Sequence, residues 1–331
     1  MSEFDKIVGY DKIKTHLLDA IQYNKVSHAY IFNGEKGMGK KMLARAFSMA
    51  LQCEKGGRDA CMECHSCKQA LSGNHPDIIW LAHEKPQTIG VEDVRRGINE
   101  DIYIKPYSSR YKIYIIDDAQ KLTVQAQNAI LKTIEEPPQY AVILFLTTNS
   151  ELFLPTILSR CTMIDLKPIS GDLIREYLMK ECEIPDYKAE FCEEFAQGNL
   201  GKAIRLAVSE EFAAMKEDVL TILRYGADMQ IPDMAEAIKQ ASKYKLTIND
   251  YIDFMVMWYR DILMYKATKD ANRIMFKDEL GFIRRQAELI SYNGAQNILD
   301  ACDKAKTRLN ANVNFDLVLE LMLLTIKENS R

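Results

Sequence analysis

The chain has 331 residues, 47% hydrophobic and 27% charged, a globular composition that at roughly 150 residues per domain suggests about two or three domains. Disordered and fibrous classes are excluded. Lys and Arg total 43 against 47 Asp and Glu, a net charge of -4, so no chain-wide basic excess drives it onto nucleic acid and any DNA contact must be local or shared with partners.

The first residues, MSEFDKIVGYDK, lack a basic-then-apolar leader pattern. No apolar run reaches the roughly 18 residues of a membrane span, so a cytoplasmic protein without membrane contact is expected. From about Val26 to Leu166, short β-rich runs alternate with helical stretches, the pattern of an α/β domain with a parallel sheet. Strands are predicted at His28 to Asn33, Ile78 to Leu81, Ile113 to Asp117, Val142 to Thr148 and Met163 to Leu166. The helix after the first strand carries Leu43, Ala46, Phe47, Ala50 and Leu51 on one stripe, and a second, near Gln125 to Ile134, must stop before Pro137 and Pro138. Beyond Leu166 the strand signal vanishes: Pro168, Ser170, Gly171 and Asp172 read as a linker into a helix cap, and everything after is helical. The last helix, near Phe315 to Lys327, is apolar on nearly every face and is expected to be buried all round, in its own domain's core or at a subunit interface.

Three constellations carry chemistry. GEKGMGK, Gly34 to Lys40, follows a strand and opens a helix, the required context of the G-x-x-x-x-G-K phosphate loop. Gly34, Gly37 and Gly39 let backbone amides turn toward phosphate oxygens, and Lys40 reaches the outer phosphates. The next position calls for a Ser or Thr hydroxyl to bind magnesium, yet it is Lys41, and an ammonium cannot ligate a cation. A strand ending in Asp117 and Asp118 resembles a Walker B element, Asp117 holding magnesium, with Asp118 one methylene short of the Glu that aligns water in many such ATPases. A glycine-rich turn that only keeps the fold, and two acids that merely solvate a strand end, are the plainer alternatives.

Cys53, Cys61, Cys64 and Cys67 follow C-x7-C-x2-C-x2-C, a spacing that suits one tetrahedral structural zinc, with His65 able to replace one thiolate; reduced thiols or a redox site are the alternatives. Cys161, Cys182, Cys192 and Cys302 are scattered and read as small hydrophobes. The third constellation follows the strand that carries Thr147, Thr148 and Asn149: Thr148 at its edge is a candidate phosphate sensor, and the chain then runs to Ser159, Arg160 and Cys161.

Val8-Gly9, the run His28-Ala29-Tyr30 into the phosphate loop, the cysteine cluster, Leu131 to Pro138 (LKTIEEPP), Leu158 to Cys161 (LSRC) and, more weakly, the C-terminal RLNANVNFDLVLELMLLTI together resemble the clamp-loader subunits of bacterial DNA polymerase III. The resemblance implies an AAA+ α/β module over 1–166 with a zinc-binding insertion at about 53–67, a helical lid over 167–208 and an all-α collar over 209–331. It implies that Arg160, flanked by Ser159 and Cys161, acts in trans as an arginine finger on a neighbouring subunit's ATP. The family's motor subunits, gamma or tau, carry Gly-Lys-Ser/Thr, a Walker B Asp-Glu and a lid arginine. This chain departs at all three, at Lys41, at Asp118 and in Gly198-Asn199-Leu200-Gly201, with Arg205 a turn later as the candidate substitute. Departures confined to ATP handling beside a retained Arg160 imply a stator that can bind ATP but does not hydrolyse it. Its partners would be gamma or tau, the delta subunit, the sliding clamp and, through the complex, primed DNA. An active ATPase and a zinc-stabilised DNA-binding module are the competing readings, the second disfavoured by the acidic balance.

Overall fold

The computed structural model describes residues 2–226, 229–311 and 313–330. The chain divides into two compact units, Met1–Ile204 and Arg205–Arg331. In the first, α1 (Asp11–Gln22), β1 (Ala29–Asn33), α2 (Lys40–Leu51), α3 (His65–Ser72), β2 (Ile78–Trp80), α4 (Val91–Val94), β3 (Lys112–Ile116), α5 (Val124–Glu135), β4 (Ala141–Thr147), α6 (Pro155–Leu158) and β5 (Thr162–Asp165) build an α/β layer. Then follow α7 (Gly171–Glu181), α8 (Asp186–Ala196) and α9 (Leu200–Val208), and the boundary between the units falls within α9. Every strand lies within a residue of its predicted bounds.

The five strands form one parallel sheet in the order β2-β3-β4-β1-β5. Period-two alternation sends Tyr30, Phe32, Ile113, Ile115, Leu144 and Leu146 to one face, against Leu17 of α1 and Leu43 and Phe47 of α2. Ala29, Ile31, Tyr114, Ile116, Ile143 and Phe145 face the other way, against Val94 of α4 and Ile130 and Ile134 of α5. Both faces are covered, which is why the strands read as unbroken apolar runs. The stripe Leu43, Ala46, Phe47, Ala50 and Leu51 is buried as predicted. Helix α5 is capped by Thr123, whose hydroxyl accepts the Ala126 N–H at 3.2 Å, and it ends before Pro137.

The second unit is helical: α10 (Glu210–Tyr225), α11 (Ile231–Ala241), α12 (Ile248–Thr268), α13 (Leu280–Leu289), α14 (Tyr292–Asn310) and α15 (Phe315–Asn329). Its core centres on Tyr251, Phe254, Trp258 and Tyr259 of α12. Gln286 bridges it, accepting from Trp258 Nε1 at 2.8 Å and donating to the Leu223 carbonyl at 2.7 Å. All-round burial of α15 is not met in this chain. Val318, Leu319, Met322, Leu323 and Ile326 are buried, while Leu317 and Leu321 are 51% and 44% exposed. Packing against α14 and α11 covers one side of the helix only. Asn312, inside the C-terminal run, lies outside the described residues.

Candidate functional site

The sheet order brings β1, β3 and β4 together, so the residues after their C-terminal ends share one edge, where open α/β sheets bind ligands. The phosphate loop leaves β1 there, tied to β4 by Gly34 N–H donating to the Thr147 carbonyl at 3.1 Å. Gly37 and Gly39 hold φ of 98° and 88°, the left-handed region that favours glycine, and Gly39 is the N-terminal cap of α2. Thr148 follows β4, its N–H reaching the side-chain oxygen of Gln120 at 3.3 Å.

The charged groups of this edge are engaged with one another. Lys40 folds back, its ammonium donating to the carbonyls of Gly34 and, at 2.8 Å, Glu35. Burial lowers its pKa, opposed by the charges of Asp118, Asp117 and Glu35. Lys41 Nζ lies 2.6 Å from Asp117 Oδ2, an ion pair on the carboxylate that a Walker B element reserves for magnesium. Asp118, at φ 48°, turns away to Lys121 at 3.0 Å and Gln120 at 3.2 Å. Burial pushes the Asp118 carboxyl up, but those hydrogen bonds and the charges of Lys121 and Lys41 outweigh it and leave the group below its ordinary value.

The segment Gly198 to Gly201 docks on this loop. The Asn199 amide is buried, donating to the Lys36 carbonyl at 2.9 Å and to Glu35 Oε2 at 3.4 Å, and its oxygen accepts the Lys202 N–H at 3.1 Å. Gly201 N–H donates to the Gly37 carbonyl at 3.1 Å. The approach is as close as glycine allows: a Cβ on Gly201 would lie 2.5 Å from the Gly37 oxygen and 2.8 Å from its Cα. Arg205 is engaged elsewhere, 3.7 Å from Asp250 Oδ2 and over the ring of Phe212.

The sulfurs of Cys53, Cys61, Cys64 and Cys67 lie within 4.8 Å of one another, a set that can hold a metal ion; His65 is not part of it. Backbone N–H groups point at three of them: Cys61 to Cys53 at 3.4 Å, Cys64 to Cys61 at 3.3 Å and Cys67 to Cys64 at 3.4 Å. N–H groups of Glu63 and Cys64 lower the Cys61 thiol to about 6, while burial raises Cys53 and Cys67. Next to Cys67, Ser66 ties the cluster to the C-terminus of α2 and to the segment that leads into β2. Its hydroxyl donates to the Gln52 carbonyl at 2.7 Å and meets His75 Nε2 at 2.9 Å. His75 Nδ1 accepts the Asp77 N–H at 3.1 Å, so Nε2 carries the proton of a neutral ring. Of the other cysteines, Cys192 and Cys302 are buried and Cys161 and Cys182 partly so, burial pushing Cys161 and Cys302 up to about 12.

Arg160 lies just past α6. Its Nη1 donates to the Thr156 carbonyl at 2.9 Å and to Ser159 Oγ at 3.2 Å, and Nη2 meets Glu135 Oε1 at 3.0 Å. Sequence reasoning missed the residue that sets this segment in place. Gln127, buried on α5, donates to the carbonyls of Leu122 at 3.3 Å and Leu152 at 2.9 Å and accepts the Leu154 N–H at 2.8 Å. A glutamine on the otherwise apolar stripe Ala126, Ile130 and Ile134 was the available signal. The docking role of Asn199 carried no such signal, because its phosphate-loop partners, Glu35 and Lys36, lie 164 and 163 positions away.

Fold and site define an AAA+ P-loop module with following helical segments. A family model described as "DNA polymerase III, delta subunit" matches residues 9–170. DNA polymerase III subunit tau of Bacillus subtilis (strain 168) is 28% identical over 99% of this chain, which spans 62% of tau's length. Subunit delta' of the same organism is 26% identical over 94% of both chains. Subunit tau/gamma of Haemophilus influenzae is 37% identical over 53% of this chain and 25% of that protein. Residues 9–170 thus match the bacterial DNA polymerase III clamp-loader family of AAA+ proteins, and the chain as a whole is similar alike to tau, gamma and delta-prime subunits. Among the described residues no helix is long and apolar enough to cross a membrane.

Proposed function

We propose that this chain is the delta-prime, stator subunit of a clamp loader, supporting ATP-dependent loading of the sliding clamp onto primed DNA in the cytoplasm without hydrolysing ATP itself. One observation carries the reading: the Lys41 ammonium pairs with Asp117 at 2.6 Å, so a fixed positive charge occupies the carboxylate that would otherwise hold magnesium. A lysine neutralises charge but cannot polarise a phosphoryl oxygen as a coordinated metal does. The turn of Asp118 toward Lys121 supports the same reading, because its carboxylate is spent on a local pair. The match along 94% of both chains to a delta' subunit is in keeping with it. The higher identity to a tau/gamma subunit over 53% of the chain and the retained Gly39-Lys40 favour the rival reading, an active gamma- or tau-like ATPase.

In the stator reading Gly34, Gly37, Gly39 and Lys40 are a relict phosphate cradle, and Arg160 is presented to the ATP of an adjoining gamma or tau subunit, where its planar guanidinium stabilises charge developing on the transferred phosphoryl group. The delta subunit, the clamp and primed DNA complete the assembly. The four cysteine sulfurs suit a structural zinc: Zn–S bonds of about 2.3 Å need sulfurs roughly 4 Å apart, and Cys61 and Cys67 stand at 4.0 Å. With all four positions filled by thiolates, such a metal stabilises the insertion and takes no part in hydrolysis. The test is steady-state ATP hydrolysis by the reconstituted loader with clamp and primed DNA, wild type against Arg160→Ala, beside the chain alone. A loss on the order of 10³ at the adjoining site, with the isolated chain inert, is expected. An unchanged rate together with hydrolysis by the isolated chain overturns the stator reading.

A further inference from the structure

Glu135 is the last residue of α5, directly followed by Glu136. Carboxylates at a helix C-terminus face the negative end of the macrodipole, so the helix itself gains nothing from Glu135 there. What Glu135 does contact is the Arg160 guanidinium, at 3.0 Å. The pair is open to water, the Arg160 and Glu135 side chains being 38% and 45% exposed. Its platform is rigid. Gln127 of α5 holds both Leu152 and Leu154, ahead of the finger, so α5 and the segment leading to Arg160 keep a fixed register and the guanidinium can leave Glu135 by side-chain rotation alone. The Thr156 carbonyl and Ser159 hydroxyl, the other two partners, are neutral acceptors on the finger's own turn.

Resting on the stator reading above, we propose that Glu135 is a positioning residue that parks Arg160 against α5, and that the finger enters the adjoining site only by exchanging this carboxylate for the phosphoryl oxygens of the neighbour's nucleotide. Glu135 meets the guanidinium through one oxygen only, whereas a triphosphate offers more negative charge and oxygens that both arms of the guanidinium can engage, so the exchange runs forward once the neighbour is loaded and close. Because the pair is solvent-exposed, its restraint is weak and is worth about two- to fivefold in the occupancy of the free finger. The carboxylate therefore damps hydrolysis in the loosely assembled loader and has no hold on the closed one.

The experiment uses the reconstituted loader carrying wild type, Glu135→Gln, Glu135→Asp, Arg160→Ala or the Glu135→Gln/Arg160→Ala double variant, with hydrolysis followed against ATP concentration, with and without clamp and primed DNA. Thermal unfolding of each isolated chain checks folding. The expected result is a two- to fivefold rise in unstimulated hydrolysis for Glu135→Gln with the maximal stimulated rate unchanged, wild-type behaviour for Glu135→Asp, and a double variant as slow as Arg160→Ala. If Arg160→Ala abolishes stimulation while Glu135→Gln leaves the unstimulated rate unchanged or lowers the maximal rate, the parking role is wrong and the finger stands. If Arg160→Ala has no effect, the finger itself is wrong and the Glu135 pair is only a surface ion pair.

Discussion

Gly201→Ala isolates the docking of the Gly198 to Gly201 segment on the phosphate loop. Gly201 lies inside α9 and shows no left-handed φ, so alanine is acceptable to the backbone and its methyl group is the whole perturbation. That methyl carbon would sit 2.5 Å from the Gly37 carbonyl oxygen, 2.8 Å from Gly37 Cα and 3.0 Å from its carbonyl carbon, all backbone atoms that cannot rotate aside. Overpacking of this kind costs about 1–3 kcal/mol, and losing the Gly201 N–H bond to Gly37 adds about 1 kcal/mol. Alanine's helix propensity offsets at most about 1 kcal/mol. The net, about 1–3 kcal/mol, corresponds to roughly 5- to 150-fold faster amide exchange at Gly201 and Lys202, with a smaller effect across Lys36 to Gly39. Hydrogen exchange of the intact chain, resolved by residue, measures this, and exchange in β1 and β4 serves as the internal control. Unchanged protection at Gly201 would refute the claim that the segment is held by direct contact with the loop.

Two further outcomes follow from the cysteine cluster and its anchor. The chain should bind one zinc ion, with affinity on the order of tenfold or more higher at pH 8 than at pH 6, because burial keeps the Cys53 and Cys67 thiols protonated and the metal must displace those protons. Competition against a chromogenic chelator reads this out, and pH-independent binding would contradict it. Burial holds the His75 pKa below its ordinary 6.5, so the unfolded chain binds the proton more readily. Its contribution to stability is then complete above about pH 6.5 and is lost as pH falls through the lower, folded-state pKa. Denaturant unfolding of the zinc-loaded chain across that window should show a steeper acid loss in wild type than in His75→Gln; His28, also lowered by burial, retains part of the slope in both.

The sheet was legible because its strands are covered on both faces: Ile113 to Ile116 and Val142 to Leu146 are unbroken apolar runs, and only a central parallel strand needs that. The phosphate loop and cysteine cluster were legible because each is built within one short stretch of chain whose spacing is itself the geometry. The apolar C-terminal helix misled, since Leu317 and Leu321 match the buried residues in composition, and only the placement of α14 and α11 decides which side of α15 is covered.

Local sequence therefore determined the α/β class, the strand bounds, the altered phosphate loop with Lys41 after Lys40 and the four-cysteine cluster, while the candidate finger came from resemblance to a family. The tertiary structure decided what those groups do to one another. Lys41 meets Asp117 because β1 and β3 flank β4 in the sheet, Arg160 meets Glu135 because α5 and α6 are tied through Gln127, and Gly201 meets Gly37 because neither carries a side chain. Each of these contacts joins residues distant in the chain, and their distances are set by sheet order and helix packing, which no local spacing encodes.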